Sequence, residues 1–123
     1  MSTKPKVQSA TNDDLIGLYV KAAHDHGEAT ERGDPKAGNK AADMVSTVYR
    51  ELRNRGQPAQ SLLLRLLGTQ DLSVRSWAAA HALEFAPEKG EPVLEALSNQ
   101  PRWLGFSART TLKVWREGKL RFP

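Results

Sequence analysis

The stretch LLLRLLGTQDLSVRSWAAAHAL, residues 62–83, decides the fold. It opens as a run of leucines broken by Arg65, then passes Gly68 into a polar turn that ends at Asp71. It restarts at Ser73 and carries Trp77, Ala78, Ala79, Ala80, Ala82 and Leu83, with Phe85 just beyond, so little of a helical circumference stays polar. A helix that is apolar all round is a buried one, and alanines at that density let its neighbours come close. The pattern predicts two helices, at about 58–67 and 73–86, the second of them at the centre of the core.

A shift of 30 residues repeats the pattern. SLLLRLLGTQDLSVRSWAAAHALEF (61–85) lies over EPVLEALSNQPRWLGFSARTTLKVW (91–115), matching Leu64 to Leu94, Leu67 to Leu97, Gln70 to Gln100, Val74 to Leu104 and Ala78 to Ala108. A second pair of helices is therefore expected at 88–98 and 103–117, bounded by Pro87 and Pro101. Upstream, Leu15, Leu18, Tyr19, Ala22 and Ala29 recur at helical spacing after Asn12 and two aspartates, which suits a capped start at Asn12 and a helix to about Arg32. Gly33, Asp34 and Pro35 then read as glycine past a helix end, aspartate as the next N-cap and proline at its first position. The helix that follows carries Ala37, Ala41, Met44, Val45, Val48 and Leu52 on one stripe and ends at Gly56. No strand pattern occurs. The polar, aperiodic residues 1–11 read as a disordered arm, and 12–123 as one domain. A repeated hairpin cannot bury its apolar face alone, so about three hairpins must stack.

The stretch from the leucine run through Asp71 and the Val74-Arg75 pair to the alanine-rich helix resembles a HEAT or armadillo unit. The whole chain, including the ending LKVWREGKL, is similar to a bacterial family of HEAT-like domains with no assigned function. The resemblance implies an all-α fold, a short right-handed α–α superhelix, and supplies no activity. It also implies that Arg75 orders the stack by pairing with a loop acid, with Asp71 as the expected partner. The chain departs from the pattern in its 30-residue offset, shorter than the roughly 40 to 47 of standard units, and in Leu104-Gly105, which replaces the Val-Arg pair in the second unit.

A length of 123 residues with no cysteine excludes disulfides and thiolate metal sites. No run approaches the roughly 18 apolar residues of a membrane span, so a cytoplasmic protein with no membrane partner is expected. GxSxG, HExxH and P-loop patterns are missing from the sequence, and the reading expects no enzyme and no cofactor.

The segment KAAHDHGEATERGD (21–34) looks most like chemistry, with two histidines among acids. At about 100° per residue, however, His24 and His26 point to different faces and cannot converge on one ion. His26 falls on the buried stripe, opposite Ala41 and Ala42 with Gly38 one turn away, and reads as a structural core histidine with bonded nitrogens. His24 and Glu28 remain a weak candidate pair for a metal, one that lacks further ligands. His81, Trp77 and Trp115 fall on or beside apolar stripes and read as structural.

Net charge is +4, and its placement says more than its size. The first helices of the hairpins are acidic and the second helices basic. The basic layer, usually the inner surface of such a repeat, supplies the candidate binding residues Arg50, Arg53, Arg109, Lys113 and Arg116, with Phe106 beside them and Trp103 in the preceding turn. The expected partner is an acidic protein, with a nucleic-acid backbone as the alternative. The oligomeric state is left open, with the end helices as surfaces where self-association would occur.

Overall fold

The computed structural model describes residues 4–123, with side chains from Val7 onward. Every regular element among them is helical: α1 (Lys4–Ser9), α2 (Asn12–Glu31), α3 (Pro35–Arg55), α4 (Gln57–Arg65), a 3-10 turn (Leu66–Gly68), α5 (Leu72–Ala82), α6 (Pro87–Leu97) and α7 (Arg102–Arg116). The chain divides into two compact units, one running to Leu63 together with Pro123 and the other from Leu64 to Phe122. The sequence suggested a single domain over 12–123; each unit is described by itself.

In the first unit α2 and α3 pack along their length as a hairpin. The turn is a Schellman motif: Gly33 N donates to Thr30 O (3.2 Å) and Asp34 N to Ala29 O (2.9 Å), with Gly33 at φ 69°. Asp34 then caps α3, its carboxylate accepting from Ala37 N at 3.1 Å, and Pro35 fills the position where no amide is needed. Leu15, Tyr19, Val45, Val48, Tyr49 and Leu52 are buried between the helices. Tyr19 is completely buried; desolvation first, and the neighbouring Tyr49 second, push its hydroxyl well above the usual tyrosine range and keep it neutral.

Two expectations are corrected here. The cap of α2 is Thr11, one residue before Asn12: Asp14 N donates to Thr11 Oγ1 (3.0 Å) and Thr11 N to Asp14 Oδ2 (3.4 Å), a reciprocal capping box. The arm expected at 1–11 is helical over Lys4–Ser9, and Val7 is buried; residues 1–3 lie outside the described residues. The tie is Arg55, which pairs with Glu51 at 2.8 Å and donates to Asn12 Oδ1 (3.0 Å) and to the Val7 and Gln8 carbonyls (3.1 Å each). A guanidinium fork thus binds the carbonyls at the end of a short helix that its own polar sequence does not advertise.

The second unit closes around Ala79, Leu83, Leu94, Leu97, Ala108 and Leu112, with Leu67, Leu72, Val93, Trp115, Leu120 and Phe122 packed at the margin. Asp71 caps α5 by accepting from Ser73 N (3.0 Å) and Val74 N (3.3 Å). The expected centrality of this helix appears within the unit: Val74, Ala78, Ala79 and Ala82 are fully buried, as is most of His81. α5 stops at Ala82, short of the expected 86, and Ala86, which precedes Pro87, stands at φ −147°, ψ 62°, outside the helical region.

The 30-residue offset is visible in the helix starts, Gln57 with Pro87 and Leu72 with Arg102. Repeat-related Ala78 and Ala108 are both fully buried. The loss of the Val-Arg pair has a physical reason. Arg75 Nε and Nη2 donate to the Thr69 carbonyl at 2.9 and 2.6 Å, fastening the loop before α5. At the matching position Gly105 is so close to the loop before α7 that a Cβ would stand 1.9 Å from Gln100 O and 2.9 Å from Arg109 Nη1. Arg109, one turn later, takes over the fastening and donates to Ser98 O at 2.7 Å, at the C-terminal end of α6 where a cation is favoured.

Candidate functional site

α7 is the most sharply two-sided element of the second unit. Gly105, Ala108 and Leu112 are buried, whereas Arg102, Phe106, Arg109 and Lys113 are exposed. Of these, Phe106, Arg109 and Lys113 follow one another at steps of 3 and 4 residues and therefore form one line along the helix. Phe106 is 66% exposed, and among the described residues it stands out as the exposed large hydrophobic. Keeping an aromatic ring in water forgoes roughly 2 kcal/mol of burial, so its place among cations calls for a reason. Arg102, ahead of this line at the start of α7, has a left-handed backbone with φ 57°. Conformations of that kind cost about 1 to 2 kcal/mol for a residue with a side chain.

The other candidates are sorted by their contacts. Arg116 is engaged within its own unit: it donates to Glu91 Oε2 (Nε 3.2 Å, Nη2 2.9 Å) and to Glu95 Oε1. These bonds, Glu95 first and Glu91 second, raise its already high pKa. Arg109 is exposed but holds Ser98 O, as above. Arg50 and Arg53 belong to the first unit, where Arg50 Nη2 donates to Thr47 Oγ1 (3.3 Å) and Arg53 lies 5.7 Å from the Tyr49 ring centroid. Trp103, the candidate placed in the turn before this helix, lies within α7 and is half-buried. The five cations read from the sequence thus fall into one α7 line, one ion pair across α6 and α7, and two residues on α3. Arg102 was absent from that candidate set, although its spacing from Phe106 was legible.

The histidine segment has a different character. His24 Nε2 lies 3.8 Å from Glu28 Oε1 with both side chains more than half exposed, and no cluster of three or more metal-ligating residues occurs among the described residues. His26 is half-buried, which corrects the reading of it as a core residue: its ring borders a shallow cavity of about 320 Å³ with Thr30, Asp34, Gly38 and Asn39. The small Gly38 leaves that opening, and partial burial lowers the His26 pKa from 6.5. A concavity of about 490 Å³ runs between α2 and α3 over Leu18, Ala22, Ala41 and Met44, with Lys21, Asp25, Arg32 and Lys40 at its rim. Lys21 and Asp25 pair across one turn at 2.8 Å. Small residues at the hairpin seam create this groove, and the sequence stripe concealed it by presenting the same residues as core.

Fold and site together define an all-helical protein with a basic, aromatic-bearing helix face. The crystal structure of the protein RPA1889 from Rhodopseudomonas palustris CGA009 is similar to it, with a TM-score of 0.86 at 23% identity over 95% of this chain and 98% of that one. That likeness is one of fold. No family model matches the chain, and no curated protein matches it. No described helix is long and apolar enough to cross a membrane.

Proposed function

We propose that this chain is a non-catalytic interaction module whose α7 face binds an acidic protein partner. The observation that carries the reading is Phe106, 66% exposed among Arg102, Arg109 and Lys113. Cations steer an acidic surface to the site, and a ring that is desolvated on contact slows its departure. The architecture behind the reading is a short HEAT-like array, a right-handed superhelix of about three hairpins. It is supported by the 30-residue recurrence of helix starts. The interface is narrower than the basic layer read from the sequence, because Arg116 is spent on Glu91 and Glu95.

The test is quantitative capture from native lysate on wild-type protein and on Phe106→Ala and Lys113→Glu, both at exposed positions. An acidic protein held by the wild type and lost from both variants at low salt supports the reading; undiminished capture by both variants sinks it. A cation line with one exposed aromatic also suits a single-stranded nucleic acid, the second reading. In that case affinity falls steeply and continuously with salt, and nucleic acid replaces protein in the eluate.

A further inference from the structure

The outward line of α7 has a definite pitch. Steps of 3 and 4 residues from Phe106 to Lys113 cover about 10 Å of helix, at 1.5 Å per residue. The helix beneath is fixed: Gly105 is pressed against the Gln100 carbonyl, and Arg109 holds Ser98 O. Such a face selects partners whose own charges repeat at the same pitch.

The molecule contains one example of the pairing. On α6, Glu91 and Glu95 stand four residues apart on one face, and Arg116 of α7 bonds to both carboxylates. Two acids one helical turn apart thus suit an arginine of α7. From this juxtaposition we infer that the partner segment is an acidic amphipathic α-helix lying antiparallel on α7, which rests on the reading of α7 as an acidic-partner site. Its pattern is E-x-x-x-E-x-x-Φ, where Φ is apolar. The two acids face Lys113 and Arg109, and Φ covers Phe106. Both helices advance at 4 and 3, so every contact stays in register. An extended segment presents same-side residues about 6.6 to 7 Å apart and drifts off a line whose steps are about 4.5 to 6 Å.

The test is fluorescence anisotropy of the full chain with a labelled Ala/Gln-based peptide carrying that pattern with Leu at Φ, at about 50 mM salt, where surface charges are weakly screened. Its control has the same acids and leucine, but prolines on either side of the leucine prevent a helix. A single-stranded oligonucleotide is titrated in parallel, and circular dichroism verifies that the variants are folded. The expected result is binding of the helical peptide at least about tenfold tighter than the control, weakened about five- to tenfold by Phe106→Ala and by Lys113→Glu. Equal binding of both peptides, lost in the variants, overturns the helical partner and leaves the acidic-partner reading standing. Binding by neither peptide, or tighter binding of the oligonucleotide than of the peptide, overturns both.

Discussion

Gly105 shows how much one hydrogen in place of a methyl decides. A Cβ there would meet Gln100 O at 1.9 Å, backbone that cannot swing aside as a side chain would, whereas at Gly17 on the open side of α2 a Cβ meets nothing within 4 Å. Gly105→Ala is therefore expected to lower unfolding stability by about 2 to 3 kcal/mol through overpacking. Gly17→Ala should raise it by about 0.5 to 1 kcal/mol through helix propensity and a less entropic unfolded chain. Urea unfolding of the two variants checks both signs. His26 supplies a pH dependence. Burial lowers its folded pKa from 6.5, so both states are neutral at higher pH, and the unfolded chain takes up the proton first as pH falls. Its contribution makes stability decline below about pH 6.5 until the lower folded pKa is reached. Urea midpoints measured from pH 8 to pH 5 should show that decline, and His26→Gln should flatten it.

Helix ends in this chain are set by side chains that reach across turns. Thr11 with Asp14, Asp34 with Pro35, and Asp71 each satisfy amides that a helix leaves open, and the Asp34 cap was read from the sequence because capping follows sequence order. Helix α1 was not readable, since the group that holds it, Arg55, lies 47 residues from Gln8. Arg55→Ala leaves the Val7 and Gln8 carbonyls without that donor. It is expected to cost about 2 kcal/mol, concentrated in α1. Hydrogen exchange should show faster exchange in α1 with protection in α3 largely retained; unchanged protection of α1 would contradict the staple. The same logic separates Arg75 from Arg109. Both fasten an interhelical loop by its carbonyl, but the second does so one turn later, which an alignment by position cannot reveal.

For the molecule as a whole, a net charge of +4 favours encounter with acidic partners at long range, whereas Phe106 acts only at contact. The two contributions divide between rates. Raising salt from about 0.02 to about 0.3 M should slow association with an acidic partner roughly tenfold and leave dissociation nearly constant. Phe106→Ala should do the reverse, speeding dissociation with little effect on association. Stopped-flow or surface-based kinetics on the captured partner would resolve them, and a salt effect confined to dissociation would contradict electrostatic steering.

The all-helical class, the hairpin turn at Gly33 to Pro35 and the 30-residue recurrence were determined by the sequence alone. Each depends on periodicity or on residues within one or two turns of each other, and local chemistry is written in order. The division into two units, the helical α1, the groove beside Met44 and the employment of Arg116 and Arg109 were decided by tertiary structure. Each depends on which distant backbone or charge a side chain meets. The α7 line lies between these cases: its spacing was present in the sequence, but charge alone could not tell the exposed Lys113 from an arginine already holding Glu91 and Glu95.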